Sequence, residues 1–265
     1  MADIRLTNVS IDIPIYDMAS TSLRKLLLGR VGGGFAASGS HVIVHAIRNL
    51  SFEAHDGDRI GLIGGNGSGK TTLLRVLSEV YPPTQGTIEV HGRVSPMLDA
   101  SLGMSMDATG HENIRMCGVL WGLTREEIES SVDDIANFTE LGEYLKMPVR
   151  TYSTGMRLRL AFAIATLRQP DILLLDEVIG VGDAAFFEKA YARLQGLVAR
   201  SRILFVATHA NRILEELCNK VLWLHQGSLV ALGGVTEVLA SYATDSPEVA
   251  REKFQNQKEW APAAK

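Results

Sequence analysis

Residues 64–72, "GGNGSGKTT", have the residue types and spacing of a phosphate-binding loop, G-x-x-x-x-G-K-[ST]. Glycines let consecutive backbone N–H groups point inward around a phosphate, at the start of a helix whose dipole favours anions. Lys70 would reach the β- and γ-phosphates of a nucleotide, and the Thr71 hydroxyl would bind Mg²⁺. The predicted nucleotide-binding residues are Gly64, Gly65, Asn66, Gly67, Ser68, Gly69, Lys70, Thr71 and Thr72.

Acidic and histidine side chains end two further apolar runs. Asp176 and Glu177 follow "ILLL", at the carboxyl end of a predicted buried strand, where α/β sheets place their ligands. Asp176 would hold Mg²⁺ through water, and Glu177 would polarise the water that attacks the γ-phosphate. The alternative, a pair of solvent-facing carboxylates, is less favoured beside a phosphate-binding loop. His209 ends the run "ILFVATH" and is either a structural histidine or a γ-phosphate contact.

The stretch "YSTGM", residues 152–156, precedes an apolar segment that is typical of a helix. Ser153 and Thr154 are common N-cap residues, so the simplest interpretation is that a helix begins here. The other interpretation is that the stretch reaches into a second copy of the chain and touches its nucleotide. The residues alone leave both interpretations open.

The composition is that of an ordinary globular protein, with 265 residues, 46% hydrophobic and 21% charged. A formal net charge of −4 argues against a nucleic-acid-binding surface on the whole molecule. Cys117 and Cys218 lack metal-ligand or redox spacing and are expected to be buried thiols in a reducing compartment. Because the sequence contains no secretory leader and no apolar run of about 20 residues, we expect a cytoplasmic protein.

Strand and helix patterns predict an α/β fold with a mixed sheet and an inserted helical subdomain. Continuous apolar runs such as "DILLLD" favour central parallel strands, and Gln226-Gly227 favours a closing hairpin. Capping boxes at Thr109 and Thr124 open two helices within the insertion. The predicted boundaries are 1–243 for the nucleotide-binding domain, 17–44 for an inserted short helix and linker, 103–168 for the helical subdomain and 244–265 for a tail.

Taken together, the motifs resemble those of the ATP-binding subunit of an ABC transporter, over about residues 3–243. "GGNGSGKTT" matches Walker A, "ILLLDEV" Walker B, "GVGD" the D-loop, "YSTGM" the signature motif and His209 the switch histidine. The resemblance implies a P-loop NTPase core that hydrolyses ATP with Mg²⁺. It also implies a head-to-tail dimer with a second copy, in which Ser153 and Gly155 bind the partner's nucleotide and Asp183 lies in the D-loop.

Departures from the family pattern indicate which group within the family the sequence resembles. Thr154 and Met156 replace a glycine and a glutamine of the usual signature LSGGQ. The glutamine of the Q-loop is missing, which makes Asp99 the nearest polar substitute and a candidate Mg²⁺ ligand. By the same resemblance, Tyr16 is a candidate to stack on adenine.

These variants, with a leucine-rich helix expected near residues 22–30, resemble the ATPases that export bacterial O-antigen, teichoic acid and capsular polysaccharide. The resemblance implies a peripheral subunit on the cytoplasmic face of the inner membrane, which powers export of a lipid-linked polysaccharide through a separate multispanning permease. Some members carry a C-terminal carbohydrate-binding domain, and we expect none in this sequence because few residues follow its last predicted helix. The alternatives are another transporter's ATPase (an importer or a drug or lipid exporter), a non-transport ABC ATPase, and a P-loop kinase.

Overall fold

The computed structural model describes residues 1–15, 34–38, 41–97, 103–167, 169–176 and 184–255. The chain forms two compact units, of which the first contains Met1–Pro96, Asp171–Val178 and Arg202–Lys265. The second contains Met97–Pro170 and Ile179–Ser201. The helix expected near residues 22–30 lies outside the described residues, as do Tyr16, Asp99, Glu177 and Asp183.

The secondary structure alternates between strands and helices, as an α/β sequence requires. The strands of the described residues are β1 (Asp3–Ile15), β2 (Gly34–Ser38), β3 (His41–His55), β4 (Arg59–Ile63), β5 (Gln85–His91), β6 (Val94–Met97), β7 (Ile172–Asp176), β8 (Ile203–Ala207), β9 (Lys220–His225) and β10 (Ser228–Gly234). The α-helices of the same residues are α1 (Lys70–Leu77), α2 (Gly110–Leu120), α3 (Arg125–Thr139), α4 (Thr154–Ala165), α5 (Ala184–Arg200), α6 (Asn211–Leu217), α7 (Val235–Thr244) and α8 (Pro247–Gln255).

A four-stranded sheet with the order β2-β3-β1-β5 is built from antiparallel pairs. In it β2 pairs with β3 from Gly34 opposite His45 to Ser38 opposite His41. The prediction that residues 17–44 hold only a short helix and a linker is therefore wrong for β2 and for the start of β3. Glycine and alanine have low strand propensity, so composition alone indicates a linker, whereas hydrogen bonds from β3 hold this segment as a strand.

A six-stranded sheet with the order β10-β9-β4-β8-β7-β6 contains the predicted central strands. Parallel pairing joins β7 to β8, β8 to β4 and β4 to β9, while β10 runs antiparallel to β9. All five residues of β8 are buried, as expected for a strand that is covered on both faces. The hairpin turns at Gln226-Gly227, with φ of 48° and 79°, so the predicted mixed sheet and closing hairpin are confirmed.

Helices α2, α3 and α4 of the second unit pack around their own apolar core. Both predicted capping boxes are present, since Thr109 pairs reciprocally with Glu112 and Thr124 with Glu127. Two 3₁₀ segments, Gly142–Lys146 and Val149–Thr151, connect α3 to α4. The buried residues of this core are Ile114, Cys117, Ile135, Leu141, Leu145, Val149, Tyr152, Leu160, Ala163 and Ile164.

Helix α8 lies in the segment 244–265, which the sequence predicts to be a tail. Ala250 and Phe254, one turn apart, are buried, and the Phe254 ring lies close to Gly233 of β10. The Arg251 guanidinium donates a hydrogen bond to the carbonyl oxygen of Leu229 at 3.2 Å. Composition does not predict this helix, because Ala250 and Phe254 are its only buried side chains among those described and the rest of the segment is mostly polar.

Candidate nucleotide-binding site

The phosphate-binding loop lies between β4 and α1, in the predicted place. Gly64 and Gly69 adopt φ of 142° and 108°, in the region that favours glycine. A Cβ at Gly64 would lie 2.2 Å from the carbonyl oxygen of Leu224, and one at Gly69 would lie 2.8 Å from that of Ala46. Strands β9 and β3 therefore enclose the loop so closely that these two positions require glycine.

Backbone hydrogen bonds tie the loop to the β9–β10 turn. Gly227 donates its N–H to the carbonyl oxygen of Ser68 at 2.9 Å, and its own carbonyl oxygen accepts from the N–H of Arg48 at 2.8 Å. The loop, the turn and β3 are thus joined in one series of main-chain bonds. This arrangement fixes the path of the loop without any ligand.

The Lys70 ammonium is buried within the loop. Its Nζ donates to the carbonyl oxygen of Gly64 at 2.8 Å and to that of Gly65 at 3.3 Å. Lys70 is the first residue of α1, so its charge adds to the positive end of the helix dipole. Both contributions place positive potential where a phosphate would sit.

The open side of the loop fits a phosphate group. A Cβ at Gly65 or Gly67 would meet nothing within 4 Å, so the backbone there leaves free space. The Ser68 hydroxyl is buried, and no atom of the described residues hydrogen-bonds to it. The unpartnered Ser68 hydroxyl, the buried Lys70 ammonium and the accessible main chain are features that suit a nucleotide phosphate.

Asp176 and His209 lie at the same edge of the sheet as the loop. Asp176 of β7 is paired with Ala207 of β8, and Ala207 is paired in turn with Leu62 of β4. Because neighbouring strands are about 4.8 Å apart, these three residues form a row across the carboxyl ends of the strands. The loop follows Leu62 within two residues, and the exposed His209 follows Ala207 within two residues. The structure therefore brings these predicted positions together.

A magnesium ion would find few protein ligands here. The Thr71 hydroxyl is exposed and the Asp176 carboxylate is partly buried at the strand end. Among the described residues, no group of three or more His, Cys, Asp or Glu side chains could hold a metal ion. This donor set fits Mg²⁺, which usually keeps several waters and shares substrate phosphates with one or two protein oxygens.

The "YSTGM" stretch begins α4 in the second unit. Ser153 is the N-cap, and its hydroxyl accepts a hydrogen bond from the Met156 N–H at 3.2 Å, so the predicted cap is confirmed. A Cβ at Gly155 would meet only the Ser153 hydroxyl, at 3.9 Å, so the helix start is open. The Arg157 guanidinium donates to Thr154 at 3.2 Å and adds positive charge beside the helix start.

A groove of about 490 Å³ opens at this helix start. Its wall includes three side chains that motif analysis misses, because they match no motif and stand apart in the chain: Glu140, Tyr144 and Arg159. Tyr144 is half exposed, and its ring meets that of Tyr152 edge to face. The groove residues are Glu140, Leu141, Tyr144, Ser153, Gly155, Met156 and Arg159.

The sequence is similar to curated export proteins. The profile of the ABC transporter family matches residues 47–180. An O-antigen export system ATP-binding protein from Yersinia enterocolitica is 42% identical over 86% of this chain and 96% of its own length. A second from Myxococcus xanthus is 40% identical over 76% of this chain, and a teichoic acids export ATP-binding protein from Enterococcus faecalis is 39% identical over 74%. This chain spans only 46% and 44% of those two relatives.

Solved structures share the fold at low sequence identity. The ATP-binding subunit of an ABC transporter superposes with a TM-score of 0.68 at 18% identity, covering 96% of this chain and 99% of that chain. A dimeric ATP-binding cassette in a post-hydrolysis state with ADP and Pi gives 0.64 at 18% identity, covering 88% and 98%. The predicted fold class is confirmed, and the relatives' names agree with the predicted ATP-driven export. On the family profile and these identities, this chain belongs to the ABC transporter family.

Proposed function

We propose that this chain is the ATP-hydrolysing subunit that powers export of a lipid-linked polysaccharide across the bacterial inner membrane. One observation carries the ATPase part: the loop, Asp176 and His209 come together at one edge of the larger sheet. The relatives named for O-antigen and teichoic acids export support the export part. The expected glycan belongs to those classes or to capsule.

Each residue of the site has a proposed role. ATP supplies the phosphoanhydride bond, and the loop residues 64–72 hold its phosphates with Lys70 on the β- and γ-oxygens. Thr71 and Asp176 orient Mg²⁺, Asp176 through water. Glu177 accepts a proton from the attacking water, and His209 contacts the γ-phosphate. Secondary proposals, taken from the family resemblance alone, are adenine stacking by Tyr16, a metal contact by Asp99 and a nucleotide contact by Asp183.

A second copy completes the site in this proposal. The exposed α4 start, with Ser153 as its N-cap and Gly155 beside it, has the backbone donors and dipole that a γ-phosphate requires. Two copies packed head to tail would place this helix start against the partner's nucleotide, and dimeric cassettes are among the solved structures that share the fold. Shifting such a dimer from 1:99 open to 99:1 closed requires about 5.5 kcal/mol of differential binding, which contacts from both copies supply.

The membrane part of the exporter belongs to another chain in this proposal. No helix in the described ranges is long and apolar enough to cross a membrane. Met116, Val119 and Leu120 of α2 are exposed apolar side chains, 40%, 67% and 69% accessible. An exposed apolar patch of this kind is suited to a protein partner, so we assign it to a multispanning permease dimer on the cytoplasmic face.

The ATPase proposal is tested by Glu177→Gln. We expect this variant to lose turnover and to keep ATP binding, because the loop is intact while the proton acceptor is removed. The closed dimer should then last longer, as measured by size-exclusion chromatography with ATP. Near-normal ATP hydrolysis in this variant would contradict the role of Glu177.

The export proposal is tested with purified components. This chain should co-purify with a multispanning membrane protein, and the complex in vesicles should move a lipid-linked polysaccharide only when ATP is present. The Glu177→Gln complex is the matched control, since it should bind ATP without transport. Association with ribosomes or DNA in place of a membrane protein would favour a non-transport ATPase. ATP-driven movement of an unrelated solute would favour another transporter.

A further inference from the structure

One face of α5 presents three side chains that contact the neighbouring helices of the second unit. Phe186, Lys189 and Arg193 are spaced three and four residues apart, which puts them on one side of a helix. The helix itself begins at Ala184. We call these three residues the α5 face.

Two members of the α5 face hold side chains of the groove at the α4 start. The Arg159 guanidinium lies 4.8 Å from the centroid of the Phe186 ring, in cation–π geometry. Lys189 forms an ion pair with Glu140. Arg159 and Glu140 both line the groove that contains Ser153. The width of the groove therefore depends on where α5 lies.

Arg193, one turn further along α5, also contacts α3 and α4. Its Nε donates to the Thr166 hydroxyl at 2.8 Å, and its terminal nitrogen donates to the Asp134 carboxylate at 2.6 Å. The guanidinium also lies 4.6 Å from the Phe138 ring centroid. Thr166 is the C-cap of α4 and Asp134 belongs to α3, so one side chain joins three helices.

We propose that the α5 face positions the groove that receives the second copy's nucleotide. This inference rests on the proposed function and deepens it, because it names the residues that hold the groove proposed to meet the partner's nucleotide. Through these contacts, α5 sets the spacing of Glu140 and Arg159 around Ser153. A change in that spacing would alter the contact with the partner's nucleotide, and with it the cooperativity of hydrolysis. Lys189 and Arg193 are positioning residues and need not touch ATP.

The Lys189–Glu140 pair allows this role to be separated from stability. The two side chains are 50% and 58% exposed, and ion pairs as exposed as this contribute little to folding. A loss of activity after breaking the pair would therefore not reflect unfolding. The buried stripe of α5 on Phe186, Ala190 and Leu194 remains in place to attach the helix.

The test uses the full-length protein with Lys189→Glu, Glu140→Lys and the double charge exchange. ATP hydrolysis is measured against ATP concentration, together with the midpoint of thermal unfolding. Each single change should raise the half-saturating ATP concentration about three-fold or more and lower the Hill coefficient toward 1. The midpoint should stay within about 3 °C of the wild type. The double exchange should restore both kinetic parameters to within about two-fold, because the ion pair is formed again with its polarity reversed.

The control is the Arg115–Glu129 pair, which joins α2 to α3 outside the groove lining. Its side chains are 54% and 47% exposed, closely matching the test pair. Arg115→Glu and Glu129→Arg should leave the hydrolysis curve unchanged. The inference is overturned if the single changes at the test pair match the wild type, or if the double exchange is as impaired as the singles combined. A wild-type protein that hydrolyses no ATP would overturn the proposed function itself.

Discussion

The phosphate-binding loop and the groove at the α4 start are held in different ways. Main-chain atoms enclose the loop, with Gly64 against a carbonyl oxygen of β9 and Gly69 against one of β3. Side chains define the groove, through pairs such as Lys189 with Glu140 and Arg159 over Phe186. The first arrangement is rigid before any ligand arrives, whereas the second can be altered by small shifts of a helix.

This difference indicates that the loop and the groove have different roles. A preformed loop would bind phosphate with little reorganisation, because main-chain contacts already fix its path. An open groove bordered by exposed charges gains its full set of contacts only when another molecule covers it. In the proposed dimer that molecule is the second copy, so affinity for ATP belongs to the loop and control of closure belongs to the groove.

The largest effect is expected from Lys70→Met at the loop. The variant removes the buried ammonium, so ATP hydrolysis should fall by roughly 100-fold or more and ATP binding should weaken strongly. Isothermal titration with ATP and a phosphate-release assay measure the two effects. ATP affinity equal to that of the wild type would show that the loop does not hold the phosphates.

Ser153→Asp should separate the N-cap role of this position from its proposed contact with the partner's γ-phosphate. Aspartate is as good an N-cap as serine and suits a helix dipole, so the unfolding midpoint should not fall. Its negative charge would oppose the partner's γ-phosphate, and hydrolysis should drop by about ten-fold or more while ATP still binds the loop.

Ser153→Ala is the matched control for this change. It should lower stability by about 1 kcal/mol through loss of the cap and should impair hydrolysis less than Ser153→Asp. Normal hydrolysis by the aspartate variant would leave "YSTGM" as a helix cap and nothing more.

Two adjacent glycines of the loop should differ in their effect on stability. Gly64→Ala introduces a Cβ 2.2 Å from a carbonyl oxygen at φ of 142°, so it should destabilise the fold by about 1–3 kcal/mol. Gly65→Ala meets nothing within 4 Å and should change stability by less than about 1 kcal/mol. Chemical denaturation compares the two variants, and equal values would contradict the close enclosure of the loop.

The smallest effect concerns the two thiols, one in each unit. Burial raises the pKa of the Cys117 thiol and raises that of Cys218 to about 12, so neither should react with a thiolate-selective reagent at pH 8 in the native state. The unfolded thiols ionise near pH 9, so their contribution to stability is complete below that pH and declines as the pH rises toward 12. Rapid labelling of the native protein at pH 8 would contradict this burial.

Much of the site could be predicted because its chemistry is local in sequence. A loop that needs glycine at fixed positions and a lysine at the helix start can be recognised from nine consecutive residues. Asp176 can be recognised because it ends an unbroken apolar strand. The capping boxes at Thr109 and Thr124 are likewise complete within four residues. The roles of all the site residues remain predictions, and Glu177, Asp183, Tyr16 and Asp99 also lie outside the described residues.

What could not be predicted depends on partners distant in the chain. Strand β2 forms because β3 supplies hydrogen bonds, which composition does not reveal. The groove unites Glu140 with Arg159, and the α5 face reaches both from a later helix. Cross-helix pairs of this kind leave no periodic pattern, since each residue by itself is an ordinary side chain in or beside a helix.

Helix α8 has a consequence for the behaviour of the protein at high concentration. Strand β10 is the outer strand of its sheet, and such strands offer unpaired main-chain groups to other molecules. Arg251 occupies the carbonyl oxygen of Leu229, and Phe254 lies over Gly233. The helix thereby shields this border from sheet-to-sheet aggregation, so a shortened chain that ends before Pro247 should become prone to self-association even with its nucleotide loop intact.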